Sequence, residues 1–308
     1  MSPLRPAMRT VGLQASVVAS ALMVLAGCRS AEPAWPGLVT VHGVTAGASL
    51  LAADTTRVVG QDDVKGLWLA DLRPDTGEPA TRPWTLPARV GKPSGLALTT
   101  DGAMLVADPE HHRVWRVAPG STGEATAFAG SGTDFQPIGD RARAVGAQLS
   151  RPAALAVAGR ETWIADPGFR RVRRVDSEGR IDTVLGSGLK GTWPDAPSPL
   201  RLPLPAPGAV AVGPDERVAV ADDVHGVVVS GPGGTIALWR ETRISGLAWL
   251  SDGTLLAARG KTLLGWRGAG SRVLLELEEP ATALCPDGTG GIWLGTATRT
   301  VHMRAVLP

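Results

Sequence analysis

Beyond residue 36 the chain alternates short apolar runs with breaks rich in Gly, Asp and Pro. Pro93 to Leu98 precedes an Asp101-Gly102 turn, then Met104 to Asp108, then His112 to Val117. The same order returns in Pro152 to Val157, Trp163 to Asp166 and Arg171 to Val175. It returns again in Pro207 to Val212, Val218 to Asp222 and Gly226 to Val229. Weaker copies run from Leu247 to Leu277 and from Ala283 to Val306, and one precedes them with Arg57 to Gly60 and Gly66 to Leu69. Apolar runs of this length, bounded by turn residues, predict strands rather than helices. The 39 Gly and 25 Pro are spread along the chain and supply the turns that many short strands need.

The spacing of the copies sets the architecture. Val210 to Leu247 is 37 residues and Leu247 to Ala283 is 36, whereas Leu96 to Leu155 is 59 and Leu155 to Val210 is 55. Two of the units therefore carry inserts, Ser131–Arg151 and Ser187–Ala206. Each unit holds three or four strands, a sheet that buries both faces only by stacking on its neighbours. Six such sheets in a ring make an all-β, six-bladed β-propeller over residues 37–308. The last copy stops after about three strands, and Leu38 to His42 has no blade of its own. That segment is expected to supply the outer strand of the sixth blade and close the ring.

The first 27 residues read as a signal peptide. Arg5 and Arg9 precede a mainly apolar stretch from Val11 to Leu25, too short to span a bilayer. Leu25-Ala26-Gly27-Cys28 resembles a bacterial lipobox, which implies cleavage before Cys28, lipidation of that thiol and a tether over 28–36. The expectation is a lipid-anchored protein of the bacterial cell envelope, retained at the outer membrane because Arg29 rather than Asp follows the cysteine. Loss of Arg5 and Arg9 leaves 29 Lys and Arg against 29 Asp and Glu. A balanced body argues against nucleic acid as a partner. Cys285 is the one other cysteine, so no disulfide is expected.

Two stretches carry a family resemblance. Val106-Ala107-Asp108-Pro109-Glu110-His111-His112-Arg113-Val114-Trp115-Arg116-Val117 and Ile164-Ala165-Asp166-Pro167-Gly168-Phe169-Arg170-Arg171-Val172-Arg173-Arg174-Val175 resemble NHL repeats. The likeness continues through Gly179 to Gly188, and Gly139 to Pro152 is similar to the Gly-Asp connector between blades of bacterial members. The resemblance implies a six-bladed propeller. Its family covers scaffolds, nucleic-acid readers and a few enzymes, so fold leaves function open.

In such a blade the turn after the second strand and the crossover to the next blade open on one face. Both inserts lie there, and long loops on a rigid scaffold concentrate binding residues. Candidates for contact with a protein partner or small ligand are Phe135, Asp140, Arg170, Arg171, Trp193, His111 and His112. Phe135 and Trp193 stand among Gly, Pro and Asp, as exposed stacking anchors or as loop packing. The run Arg170, Arg171, Arg173 and Arg174, joined by Arg180, reads first as a solvated strand edge and second as an anion or partner site. Trp68, Trp163 and Trp293 recur at what reads as the second strand, as wedges between blades.

Catalytic chemistry finds less support. Asp108, Glu110, His111 and His112 with Asp222, Asp223 and His225 have metal-ligand chemistry but occupy turn positions, where Asp caps backbone N–H groups. No metal and no other cofactor is expected. Propeller lactonases hold a divalent ion at the starts of their inner strands, which match Ser94, Ala153, Ala209, Gly246 and Thr282 here, not a ligand set. The amidating-lyase relatives use channel histidines, and His42, His111, His112, His225 and His302 all fall off the inner strands. Gly186 to Gly191 spells a dinucleotide-binding motif, but Pro194, Pro197 and Pro199 occupy the place of its helix. The reading is a non-catalytic envelope lipoprotein that binds through one propeller face. The alternative is a lactonase-like envelope hydrolase or lyase.

Overall fold

The computed structural model describes residues 37–306, except 45–47, 63–65, 73–80, 119–123, 136–139, 196, 214 and 269. The leader and Cys28 lie outside the described residues. Six antiparallel sheets follow one another along the chain and form a six-bladed β-propeller. From inner to outer strand, blade 1 holds Leu50–Ala53, Arg57–Asp62, Gly66–Asp71 and Thr81–Pro83. Blade 2 holds Gly95–Leu98, Met104–Asp108, Arg113–Val117 and Ala125–Ala129. Blade 3 holds Ala154–Ala158, Glu161–Asp166, Arg171–Val175 and Arg180–Leu185. Pro207–Val212, Val218–Asp222, Gly226–Ser230 and Ile236–Trp239 make blade 4. Gly246–Trp249, Leu255–Arg259, Thr262–Arg267 and Gly270–Glu276 make blade 5.

Blade 6 is built from both ends of the described chain. Ala283–Pro286, Gly291–Gly295 and Thr300–Val306 are its inner three strands, and Gly37–Val44 is its outer one. The register runs from Gly37 opposite Val306 to Val44 opposite Thr300, as expected for Leu38 to His42. Ala48 then donates its N–H to Thr296 O at 2.9 Å, and Thr282 Oγ1 donates to Ala48 O. A ring closed in this way leaves the third strand of blade 6 no bare edge.

Each blade is apolar on both faces because each is sandwiched. Every residue of Met104–Asp108 and of Val218–Asp222 is buried. One core cluster sets Val59, Leu67 and Leu69 of blade 1 against Leu96, Met104 and Val106 of blade 2. Trp163 packs toward Val210 and Val218 of blade 4, and Trp293 toward Val58 of blade 1. Trp68 wedges into the same cluster as Trp293 but from the third strand of its blade, not the second. The blade 1 sequence places a Gly, Gly60, at the second-strand position facing that ring. A Cβ there would lie 2.2 Å from the indole.

Strand direction defines two faces. Turns between second and third strands and the crossovers between blades open on one, here termed the insert face. The chain enters the outer strand of blade 6 at Gly37 on the opposite face, because its partner Val306 ends the third strand there. The first insert also lays Ala142–Arg143 along Ile181 and Arg180 as a fifth strand of blade 3. Nothing in the sequence marks so short a strand; it forms because the crossover runs along an open edge.

Candidate functional site

The channel comes first, since related folds work there. Two cavities of about 110 and 100 Å³ lie along it. Both are lined by Leu51, Leu96, Leu155, Val210, Leu247 and Leu284, one equivalent residue from each inner strand. These side chains form an aliphatic collar between the two halves. Toward the insert face the wall carries Ser49, Ser94, Gly208 and Ser245, so the channel positions matching Ser94 in blades 4 and 5 are Gly208 and Ser245, one residue before the Ala209 and Gly246 read from the sequence. The hydroxyls are committed to the ring itself. Ser94 Oγ donates to Pro152 O at 2.6 Å and Ser245 Oγ to Ala281 O at 2.8 Å, each joining a blade to the next. Beyond the collar the lining includes Leu98, Val157, Val212, Trp249 and Pro286. The side chains lining both cavities are aliphatic, aromatic, small hydroxyl or thiol. The thiol, Cys285, is buried, and burial pushes its pKa up, away from the reactive thiolate. This donor set does not fit the divalent ion of a propeller lactonase.

On the insert face, an Asp ends the second strand of three successive blades and pins the incoming crossover. Asp108 accepts the N–H of Gly91 at 2.8 Å, Asp166 that of Ser150 at 2.8 Å and Asp222 that of Ala206 at 2.7 Å. Asp108 also accepts from His111 N–H at 3.1 Å, His111 Nδ1 at 2.7 Å and Trp115 Nε1 at 2.9 Å. Burial would raise its pKa, but these donors outweigh burial and hold it below the ordinary carboxylate range. Asp222 repeats the arrangement with His225, at 3.0 Å to its N–H and 3.2 Å to Nδ1. Blade 5 reverses the polarity: Arg259 ends its second strand and pairs with Glu241 of the crossover. His111 is thus a partner of its own turn.

The two inserts begin alike, as Gly130-Ser131-Gly132 and Gly186-Ser187-Gly188. Gly130 (φ 94°) and Gly186 (φ 101°) take a backbone conformation that favours glycine. A Cβ on either would meet the carbonyl oxygen of His112 or Arg170 at 2.3 or 2.5 Å. Each insert then folds back on itself, with Ser131 N–H donating to Ala147 O at 2.7 Å and Ser187 N–H to Leu202 O at 2.8 Å.

Asp140, in the first insert, accepts from Arg173 Nη2 at 2.7 Å and from Thr183 N–H and Oγ1, both at 3.0 Å. Arg173 is fully buried, which corrects the solvated-edge reading of the Arg run. The insert covers the face of the blade that carries Arg171 and Arg173, and with it the guanidinium of Arg173. Asp166 lies under the same cover. Burial pushes its carboxyl up to about 7 against the opposing pull of Ser150 N–H, Arg173 and Arg171. Arg171 packs beneath Gly188, and Arg170 Nη1 donates to Gly188 O at 3.3 Å. Sequence reasoning passed over Ser150 and the burial of Asp166 and Arg173. The signal lay in the repeated Asp at the end of the second strand.

Trp193 is not an exposed anchor: it is 6% exposed. Its Nε1 donates to Pro203 O at 3.0 Å, its ring stacks on His225 at 5.4 Å, and the Arg240 guanidinium lies over the ring at 5.9 Å. With Leu202 and Leu204 it joins the core between blades 3 and 4. Phe135 is 84% exposed, as an anchor would be.

Ser150, Asp134 and His112 gather near Phe135, yet in an order that cannot activate a nucleophile. Ser150 Oγ donates to Asp134 Oδ2 at 3.1 Å, and His112 Nε2 lies 3.8 Å from the same oxygen. Arg151 N–H donates to His112 Nδ1 at 3.3 Å. The ring's lone pair is therefore occupied, and its proton faces the carboxylate. A nucleophile needs the base beside the hydroxyl, and here the acid stands between them.

No family model matches the chain, and no curated protein matches it. Solved structures do match at the level of fold. A gluconolactonase from Xanthomonas campestris shares 14% identity over 88% of this chain and 90% of its own, with a TM-score of 0.57. A structure of the nidogen/laminin complex shares 15% over 78% and 85%, with a TM-score of 0.55. The WD40 β-propeller domain of Doa1 shares 11% over 87% and 97%, with a TM-score of 0.55. A gluconolactonase, a nidogen/laminin complex and a WD40 domain share one architecture with this chain, and none is near enough in sequence to carry its activity across.

Proposed function

We propose that this protein is a non-catalytic envelope lipoprotein of NHL type that holds a protein partner on its insert face. The carrying observation is the channel: its aliphatic collar and committed hydroxyls offer neither a metal-ligand set nor a general base. The chemistry-bearing side chains stand instead on the insert face, where most serve to brace loops. A braced loop presenting exposed side chains is what a docking surface requires.

Strand topology supports an outward display. A tether from Cys28 reaches at most about 25 Å and joins Gly37 on the face opposite the inserts. Lipidation at Cys28 then holds the opposite face toward the membrane and turns the insert face away from it. The second reading, a lactonase-like hydrolase or lyase, draws on the fold shared with gluconolactonases.

The test is the metal content of the full chain, purified in detergent, with its melting temperature before and after chelation. The expected result is no stoichiometric divalent metal and no shift on chelation. Stoichiometric metal with a large chelator-induced drop would overturn the scaffold reading and favour the lactonase-like one.

A further inference from the structure

Both faces carry ion pairs and, among the described residues, unpaired cations, Arg160 and Arg304 among the latter on the face opposite the inserts. On the face opposite the inserts every blade pairs a basic residue with an acid near its own turns. The pairs are Asp54–Arg57, Asp101–Arg116, Glu178–Arg180, Asp215–Arg217, Asp252–Arg267 and Asp287–His302. On the insert face Arg151, Arg170, Lys190, Arg240 and Arg243 have no carboxylate within ion-pair distance among the described residues. Several acids of this face are engaged elsewhere: Asp166 and Asp222 are buried in their turns, Asp134 serves Ser150 and His112, and Glu241 holds Arg259. Asp195 and Asp223 are exposed and make no ion pair among the described residues, so the five cations outnumber the open carboxylates among them.

These five cations follow an arc. Arg151 and Arg170 belong to blade 3, Lys190 to the insert leaving it, and Arg240 and Arg243 to the crossover between blades 4 and 5. Apolar side chains stand among them, with Phe135 84% exposed, Leu189 68% and Val224 59%. Phe135 sits beside Asp134 at the first insert, Leu189 beside Lys190, and Val224 beside the His225 that stacks on Trp193. Large apolar side chains held in water next to unneutralised guanidinium groups mark an interaction surface.

We infer that this arc binds an extended acidic segment of a protein partner, with carboxylates on the cations and apolar side chains on Phe135, Leu189 and Val224. The inference rests on the scaffold reading and names the partner's chemistry. Interleaved apolar groups favour a peptide over a nucleic acid, whose phosphates would leave Leu189 and Val224 without packing partners. Entry of the chain at Gly37 on the opposite face disfavours a lipid surface, because an anchor there turns the arc away from the bilayer.

The probe is a fluorescent peptide alternating Glu and Leu around one Phe, titrated onto the full chain in detergent. Its competitors are the same peptide with Lys for Glu, phosphatidylglycerol vesicles and single-stranded DNA. The combined variant Arg151→Glu, Lys190→Glu, Arg243→Glu should weaken binding about tenfold or more, most strongly at low salt. Arg160→Glu with Arg304→Glu, toward the opposite face, should leave it unchanged. Circular dichroism and melting curves verify that each variant folds. Equal binding of the Lys peptide, indifference to the charge reversal, or stronger competition by vesicles or DNA overturns the inference. Photo-crosslinking from Phe135 and Val224 in native envelopes separates the two levels. A protein captured equally by wild type and the charge-reversed variant overturns the acidic segment and retains the scaffold. No captured protein overturns both.

Discussion

Asp166 shows how one position can serve the fold and record its environment. It ends the second strand of blade 3, accepts Ser150 N–H and lies beneath the first insert beside Arg173. Burial raises its carboxyl from an ordinary 3.8 to about 7. A raised acid favours the protonated folded state. Its contribution to stability is complete below about pH 4 and is lost as pH rises through about 7. Asp166→Asn keeps the acceptor oxygen and cannot ionise. The variant's melting temperature should gain on wild type as pH rises from 4 to 7, as read by thermal scans across that range. A difference that does not change with pH would mean that the carboxyl is already ionised throughout. The Asp was legible in the sequence as a turn residue. Its burial was not, because the cover comes from an insert more than ten residues upstream in the chain.

At the scale of elements, closure decides whether the ring holds. The strand Gly37–Val44 gives blade 6 its fourth strand, and Leu38 packs against the cluster containing Leu250 and Met303. Leu38→Glu replaces apolar contact with a half-buried charge and should cost on the order of 2 kcal/mol. Because the strand joins the two ends of the body, the loss should appear as a lower midpoint for the single cooperative unfolding transition. A local loss, with the main transition unmoved, would mean that the outer strand is dispensable. The period of the repeat foretold this element, since the last copy lacks a strand and the chain before the first copy has one to spare. The fate of the Arg run was less legible. Alternation placed Arg171 and Arg173 correctly on one side of the strand, but only the path of the insert put Arg173 out of water.

For the whole molecule, the question is which face meets which surroundings. Cys285 is buried and the proposed lipid would block Cys28, so an introduced surface thiol is the reactive one under the lipoprotein proposal. Reporters placed at Gly233, in a turn on the face opposite the inserts, and at Val224 on the insert face can be compared in vesicles with a headgroup quencher. Gly233→Cys should be quenched more than Val224→Cys. The reverse order would place the inserts against the membrane and remove the outward display. A Trp in the second insert, among Gly, Pro and Asp, read in the sequence either as a free anchor or as packing within its loop. In the folded ring it joins the core between blades 3 and 4, with His225 of blade 4 and Arg240 of the next crossover against its ring.

The sequence alone determined the number of blades, their strand order, the closing strand and the sites of the inserts. Those properties follow from local patterns of apolar runs and turn residues, repeated at a period that only stacking can satisfy. Tertiary structure decided which polar side chains are exposed. Arg170 and Arg173 are near neighbours of one type in one strand and turn, yet one stays partly in water and the other is sealed beneath Asp140. Trp193 and Phe135 stand in similar loops, yet one is enclosed and the other bare. Exposure depends on what the rest of the chain lays over a residue, and that covering is set by packing between segments far apart in the sequence.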